Sequence, residues 1–323
     1  MAAARVPAAR GPADGIKVPD AAGGLAAPGV TNGWLPQSPC DEGCLPPPGD
    51  APSVGPLRLT VRLAAVGVVV LASLGIAALG PVLRPGVRDR LTRQWFRVLL
   101  TALGVRLLAS AGARFAPPGT GVLVVADHVS WLDVVALNAV QPCRMVAKRE
   151  VHRWQLIGRL ATASGTIFID RELLRTLPRT VAEICAGLRA GSCVAVFPEA
   201  TTWCGRSRGP YRPAAFQAAL DAGAAVRPVG LRFSLPPGQA PTTAAAFVGS
   251  CSLWTSLCRI AALRGLAVEV KPLPELAGAD YPNRRAIAKA ARSAVAAAFA
   301  VSAAAGQAGT WPADGACCQR VSL

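Results

Sequence analysis

The stretch VLVVADHVSWLDVVALNAV (122–140) decides the fold of this 323-residue chain. Its beginning, Val122–Ala126, is apolar and short enough for a buried strand, whereas Trp131–Val140 is long enough for a helix. Further apolar runs alternate with helical segments along the chain; they lie at 144–147, 166–169, 193–197, 226–233 and 266–271. Strands that alternate with helices predict an α/β fold, a sheet with helices packed on its faces.

The same stretch places an acid, Asp133, five residues after a histidine, His128. Within one continuous helix these side chains would lie about 140° apart and would not meet. With His128 in the turn and Asp133 in the first turn of a helix capped by Ser130, the carboxylate reaches the imidazole. A carboxylate on one ring nitrogen leaves the other nitrogen to accept a proton. The pair is a candidate general base, and a structural histidine beside a helix cap is the alternative.

Two other predicted strands also end in polar residues. Arg171 follows one of them, and Phe197–Thr202 (FPEATT) follows another. Strand ends of an open α/β sheet meet at one rim, where ligands bind. Arg171 suits a bidentate grip on phosphate, unless it only pairs with Asp170 or Glu172. Glu199 either shapes a binding turn or caps it.

Composition and charge limit the class of protein. Hydrophobic residues make up 52% of the chain and charged residues 16%, which excludes a disordered chain. The net charge is +16, so the partners are nucleic acid or anionic membranes and phosphate-bearing substrates. Because the arginines are spread through apolar segments rather than gathered in a basic run with aromatic residues, we expect no nucleic-acid partner.

The ten cysteines show no framework in their spacing. Cys40 and Cys44 lie in a segment rich in proline and glycine, and most of the others are scattered through apolar runs. The two histidines, His128 and His152, have no cysteine at the spacing of a zinc ligand set. The sequence therefore predicts buried, reduced thiols in a cytosol-facing domain, and no metal site.

The chain divides into four segments. Residues 1–57, rich in alanine, glycine and proline, are predicted to be a disordered tail. Residues 58–110 hold the uncharged stretch Leu63–Leu83, just long enough for a hydrocarbon core of about 30 Å, and an amphipathic segment at 91–108 that suits the membrane interface. The other two segments are the α/β domain at 111–301 and a C-terminal tail at 302–323.

Arginines follow the uncharged stretch more densely than they precede it. By the positive-inside rule its C-terminal side faces the cytoplasm. We therefore expect a cell-membrane protein whose α/β domain lies on the cytoplasmic side. The sequence leaves open whether the helix crosses the bilayer or embeds in one leaflet.

Four blocks of sequence resemble the motifs of the glycerolipid acyltransferase family, which includes the bacterial 1-acyl-sn-glycerol-3-phosphate acyltransferases. In chain order the blocks are Asp127-His128 with Asp133, Gly165 through Phe168 to Arg171, Phe197-Pro198-Glu199-Ala200-Thr201, and Val226-Arg227-Pro228-Val229. The resemblance implies a mixed sheet flanked by helices and preceded by a membrane-embedded helix.

The resemblance also implies roles for single residues. His128 would be the general base, Asp133 its orienting partner, and Arg171 the ligand of a lysolipid phosphate. Ala200 stands where the family motif has glycine, so either alanine is tolerated at a right-handed position or activity or acceptor choice changes. The acceptor pocket would be shaped by Glu199, Ala200, Thr201 and Thr202.

The implied activity is that of a membrane-bound O-acyltransferase. It would move an acyl group from acyl-CoA or acyl carrier protein to the free hydroxyl of 1-acyl-sn-glycerol 3-phosphate, making phosphatidic acid for phospholipid biosynthesis. No cofactor and no metal is expected, because a thioester is already an activated acyl group. The alternatives are an acyltransferase for another lysolipid, such as a lyso-ornithine lipid, and a non-catalytic lipid-binding descendant.

Overall fold

One seven-stranded sheet forms the centre of the computed structural model, which describes residues 36–79, 82–171, 173–236 and 241–299. The strands are β1 (Arg106–Leu108), β2 (Val122–Val125), β3 (Arg144–Lys148), β4 (Ile167–Ile169), β5 (Cys193–Val196), β6 (Ala225–Ser234) and β7 (Ala267–Pro272). Their order across the sheet is β1-β7-β6-β2-β5-β3-β4.

The sheet is mixed, as predicted. Strands β2 to β6 are mutually parallel, β7 runs antiparallel to β6, and β1 pairs parallel with β7. Strands β2 and β5 are in register from Val122 opposite Cys193 to Val125 opposite Val196. The loops that leave these two strands therefore start side by side at the same edge of the sheet.

Helices cover both faces of the sheet. They are α1 (Pro56–Leu79), α2 (Pro85–Leu103), α3 (Trp131–Val140), α4 (Arg149–His152), α5 (Gln155–Ala163), α6 (Leu177–Arg189), α7 (Ala214–Ala222), α8 (Leu253–Ala262) and α9 (Arg284–Ala297). Leu123 and Val125 of β2 pack among α6, α7 and α9, whereas Val122 and Val124 pack among α2, α3 and α8. Alternate residues of a strand point to opposite faces, so a strand covered on both sides is apolar throughout.

The segment predicted as one amphipathic helix at 91–108 is a helix followed by a strand. Helix α2 ends at Leu103 because Gly104 takes a left-handed conformation, with φ of 73°. The chain then extends into β1, which pairs with β7. The apolar pattern continues through both elements and favours one helix, whereas Gly104 is the local signal that ends it.

Helices α1 and α2 form an antiparallel hairpin that is fixed to the α/β domain. Arg62, near the start of α1, is buried and donates to two carbonyl oxygens at the end of α8 at 2.7 and 2.8 Å. Its guanidinium packs on Gly104, where an added Cβ would lie 2.0 Å from it. Further along the hairpin, the indole N–H of Trp95 donates to the carbonyl of Val69 at 2.8 Å. The two helices are thus held together at two points along the hairpin, one near Arg62 and Gly104 and one near Val69 and Trp95.

The hairpin carries a large apolar surface. Among the described residues, α1 is the one helix long and apolar enough to cross a membrane, and it begins and ends earlier than the predicted stretch Leu63–Leu83. The exposed apolar side chains on the hairpin are Leu57, Val61, Val68, Leu71, Leu74, Leu79, Val82, Val87, Leu91 and Val98. A surface of this kind suits contact with lipid.

Part of the predicted disordered tail is folded. Cys40 and Cys44 are buried, and Ser53 forms a β-bridge with Leu263 after α8. The prediction for 1–57 is therefore wrong for residues 36–55, whose partners lie far along the chain. The rest of that tail and the C-terminal tail at 302–323 lie outside the described residues.

Candidate active site

His128 and Asp133 meet as predicted. Nδ1 of His128 lies 2.9 Å from Oδ2 of Asp133, which is fully buried, while 19% of the His128 side chain is exposed. The same carboxylate oxygen accepts the backbone N–H groups of Val129 and Ser130 at 2.7 and 2.8 Å. These contacts assign the ring proton to Nδ1, so Nε2 is the nitrogen left free to accept a proton.

The helix cap and the His128–Asp133 pair use the same carboxylate. Ser130 is the N-cap of α3, and its hydroxyl accepts the N–H of Leu132 at 3.3 Å. Asp133, three residues later, returns a bond to the backbone N–H of Ser130 and so completes a capping box. The two interpretations of this spacing, a helix cap and an orienting acid, therefore hold together, because one buried oxygen serves both purposes.

The loop that follows β5 holds His128 from three sides. The imidazole stacks on Phe197, with ring centroids 4.0 Å apart and planes 8° apart. The backbone N–H of His128 donates to Oε2 of Glu199 at 2.7 Å, and its carbonyl accepts the N–H of Trp203 at 2.8 Å. Backbone and ring of the histidine are thus fixed before any substrate binds.

Glu199 is a positioning residue in this structure. It is only 2% exposed, and its second oxygen, Oε1, accepts the N–H of Gly209 at 2.6 Å. Burial and, second, the Asp127 carboxylate raise the pKa of Glu199, and the two backbone donors and Arg208 lower it, which together bring it to about 8. Both oxygens face protein, so the expected role in the acceptor pocket is indirect and passes through His128 and the loop.

Asp127, which directly precedes His128 in the first motif block, joins a buried network. Its Oδ1 accepts the hydroxyl of Tyr211 at 2.8 Å, and its Oδ2 pairs with Nε of Arg208 at 2.8 Å. Burial raises the pKa of Asp127, while the ion pair with Arg208 opposes the shift. A cavity of about 30 Å³ lies between Asp127, Glu199, Trp203 and Arg208, room for about one water molecule. No spacing in the sequence links these residues.

Ala200, Thr201 and Thr202 lie in the turn beyond Glu199. Ala200 has φ of 61° and is the one non-glycine residue with positive φ in the described parts of the chain. The alanine is therefore not at a right-handed position, and it occupies a conformation that favours glycine. Thr202 donates its hydroxyl to the carbonyl of Phe247 at 2.6 Å, which fixes the turn to the loop after β6. Thr201 is partly exposed beside them.

Arg171 lies further along the same rim, after β4, with β5 and β3 between it and the strand of His128. Its Nε is buried and has no hydrogen-bond partner among the described residues. Burial lowers the pKa of Arg171 to about 10, with Glu150 opposing and Arg212 adding to the shift. Burial and then Arg171 lower the pKa of Lys148, which ends β3. Three cations thus gather here, of which the sequence identified Arg171 alone.

Comparisons with known proteins agree with this geometry. A family model described as "Acyltransferase" matches residues 109–232. A 1-acyl-sn-glycerol-3-phosphate acyltransferase of Neisseria meningitidis is 36% identical over 203 residues, which cover 63% of this chain and 78% of the relative. The chain belongs to the acyltransferase family. A lyso-ornithine lipid O-acyltransferase of Pseudomonas aeruginosa is also 36% identical, over 65% of this chain and 80% of the relative.

The acyltransferase also shares its fold with a solved structure. The crystal structure of the 1-acyl-sn-glycerophosphate (LPA) acyltransferase PlsC from Thermotoga maritima superposes with a TM-score of 0.59 at 15% identity, covering 77% of this chain and 95% of that one. The α/β architecture, the membership of the family and the acyltransferase class of enzyme predicted from the sequence are thereby confirmed.

Proposed function

We propose that this acyltransferase moves an acyl group from a thioester of CoA or acyl carrier protein to the free hydroxyl of 1-acyl-sn-glycerol 3-phosphate, giving phosphatidic acid. The observation that carries the proposal is the His128–Asp133 pair, held rigidly at a partly exposed rim of the sheet. This arrangement offers a base and orients it, and the nucleophile is the hydroxyl of the acceptor.

In the proposed reaction His128 acts first as a base and then as an acid. Nε2 takes the proton from the acceptor hydroxyl as that oxygen attacks the thioester carbonyl and forms the new C–O bond. The tetrahedral intermediate then loses the thiolate as the C–S bond breaks. The proton on Nε2 passes to the leaving sulfur, which returns the imidazole to its starting form. Asp133 stabilises the imidazolium that exists between these two transfers.

The cations at the far end of the rim support a phosphate-bearing acceptor. Arg171 presents a buried Nε, and Lys148 and Arg212 lie near enough to affect or be affected by its charge. Glu150 offsets part of the repulsion between these three cations, and the net positive charge that remains favours a bound anion. A lyso-ornithine lipid is the second candidate acceptor, because a relative named for that substrate has the same 36% identity. A phosphate monoester, with close to two negative charges, matches the cation cluster better than the single carboxylate of a lyso-ornithine lipid does.

The helical hairpin supports insertion into one leaflet on the cytoplasmic side. If α1 crossed the bilayer, α2 would return along it and carry Arg88, Arg90 and Arg93 through the hydrocarbon. An arginine at that depth costs about 2.5–3.5 kcal/mol. With the hairpin in one leaflet, these arginines reach the headgroups. An epitope inserted at Val82, between α1 and α2, is then inaccessible from the far side of the membrane, whereas a hairpin that crossed the bilayer would expose it there. Detection of this epitope from the far side would contradict the one-leaflet topology.

The central test is turnover by the purified protein, with His128→Ala compared with His152→Ala. His152 is the other histidine of the chain, and its ring contacts Phe168 rather than the His128–Asp133 pair. Release of CoA from acyl-CoA in the presence of 1-acyl-sn-glycerol 3-phosphate should fall by about 10²–10⁴-fold in His128→Ala. The His152→Ala variant should keep wild-type turnover. Equal activity in both variants would refute the proposed mechanism.

A second measurement identifies the acceptor. The wild type is assayed with 1-acyl-sn-glycerol 3-phosphate and with a lyso-ornithine lipid, and each assay is repeated with Arg171→Ala. We expect the phosphate acceptor to be preferred and its KM to rise at least tenfold in Arg171→Ala, with a smaller change in kcat. Preference for the ornithine acceptor would reject phosphatidic acid as the product, and no turnover with either acceptor would support the non-catalytic alternative.

A further inference from the structure

Three cysteines, two of them from one short segment and the third from far along the chain, lie together outside the His128 site. The Sγ atoms of Cys40, Cys44 and Cys204 all lie within 4.8 Å of one another, and all three residues are buried. Cys40 and Cys204 are 164 positions apart. Cys40 and Cys44 form a C-x₃-C pair, a spacing found among zinc ligands, but nothing in the sequence links this pair to Cys204, and the expectation of no metal site did not take the cluster into account.

The backbone around the cluster forms a tight cradle. Residues Glu42–Cys44 are a 3₁₀ turn whose cap is Asp41, with the Asp41 carboxylate accepting the N–H of Gly43 at 2.9 Å. Glu42 in turn accepts the hydroxyl of Ser250 at 2.9 Å, which ties the turn to the domain.

On the other side of the cluster, the backbone N–H of Cys204 points at Sγ of Cys40 at 3.3 Å. Gly205 follows with φ of 89°, so the chain turns away directly after the third sulfur. An N–H bond to sulfur favours the thiolate over the thiol, as is usual around metal-bound cysteines.

We propose that Cys40, Cys44 and Cys204 bind a zinc ion. Three converging sulfurs are a soft donor set, which selects zinc over magnesium or calcium. Binding would ionise the three thiols, release their protons and offset two of the three negative charges that result. A tetrahedral zinc takes a fourth donor, which would be a water molecule or another side chain.

The ion would connect two parts of the molecule. Cys40 and Cys44 belong to the segment before α1, and Cys204 belongs to the loop after β5 that holds His128. The residue before Cys204, Trp203, donates its backbone N–H to the carbonyl of His128 at 2.8 Å. Zinc at this position would therefore fix the N-terminal segment and the catalytic loop to one another, as a structural ion without a chemical step of its own.

Metal content tests the proposal. The full chain is purified in detergent through a tag without histidines and without chelators, from cells grown with added zinc. We expect about one zinc per chain in the wild type and a loss of at least fivefold in Cys40→Ser, Cys44→Ser and Cys204→Ser. Cys185→Ser is the matched control, because Cys185 is also buried but lies in α6 on the other face of the sheet. It should keep the wild-type zinc content.

A spectroscopic measurement on the wild type covers the case in which the cysteine variants do not fold. Growth with cobalt in place of zinc should give an intense thiolate-to-cobalt charge-transfer band in the near ultraviolet. X-ray absorption at the zinc edge should show three sulfur neighbours at about 2.3 Å. Less than about 0.1 zinc per chain without a cobalt band, a disulfide between any two of these cysteines, or equal loss of zinc in Cys185→Ser would each overturn the proposal.

Discussion

Replacing Ala200 with glycine should relieve backbone strain in the loop after β5, which holds His128. With φ of 61°, Ala200 lies in the left-handed region, where a residue with Cβ costs about 1–2 kcal/mol more than glycine. Glycine loses more entropy on folding, which costs about 0.4–1 kcal/mol in either conformation. Loss of the half-buried methyl group costs about 0.4 kcal/mol more. The net gain in the free energy of unfolding is therefore only about 0.5 kcal/mol.

A matched control separates the strain from the entropy. Ala190, the C-cap of α6, has φ of −77°, a conformation in which alanine is unstrained. Ala190→Gly incurs the same entropy cost and relieves no strain, so it should lower stability. When the changes in the free energy of unfolding of Ala200→Gly and Ala190→Gly are subtracted, the entropy cost cancels. The remaining difference is about 1 kcal/mol, or about 2–4 °C in Tm for a domain of this size.

The assay is thermal unfolding of both variants in the same detergent, followed by circular dichroism. We expect Ala200→Gly at or above the wild-type Tm and Ala190→Gly below it. If the Tm falls by the same amount in both variants, the left-handed strain at Ala200 is absent and the reasoning is refuted. Turnover measured in parallel shows whether the relaxed turn still holds His128, because Glu199 directly precedes Ala200.

Three further predictions follow from the same contacts. Asp133→Asn can keep an oxygen at the Oδ2 position for the helix cap and for Nδ1 of His128, but it removes the negative charge that stabilises the imidazolium, so kcat should fall by about 10²-fold or more; an unchanged kcat would contradict the role proposed for the carboxylate. The pKa of Glu199 in the folded protein is about 8, against an ordinary value of 4.5, so the contribution of Glu199 to stability falls as the pH rises between these values. Glu199→Gln should therefore flatten the curve of Tm against pH in this range, and parallel curves for the variant and the wild type would contradict the shift. Gly104→Ala should lower Tm by clearly more than Gly223→Ala, because both positions are left-handed but only at Gly104 does the new methyl group meet Arg62; equal losses would contradict the packing.

Local patterns were enough to predict most of the α/β domain. Helix α3 was predicted with its observed bounds, and the strands that flank the site were predicted to within one residue at each end. The His128–Asp133 contact was also predictable, because a strand, a turn and a helix cap lie within a few residues and leave little freedom. Short-range geometry of this kind is contained in the sequence, since period and capping are local properties.

The rest of the site depends on contacts across the fold. Arg208 and Tyr211 reach Asp127 only because β2 and β5 are neighbours in the sheet. The burial of Cys40 and Cys44 depends on the loop that carries Cys204 in the same way. Composition marked the segment before α1 as disordered, yet its partners are provided by residues that lie far along the chain. No periodic signal records such pairings.

The turn after β5 explains how an alanine can keep a left-handed conformation. Strain persists where the surrounding structure over-determines a residue. Ala200 is fixed on one side by Glu199, whose two oxygens bind the backbone of His128 and Gly209, and on the other side by Thr202. These contacts leave the turn no relaxed alternative that would keep the histidine in place. The strain at Ala200 is therefore the consequence of a loop whose geometry is set by the position of His128.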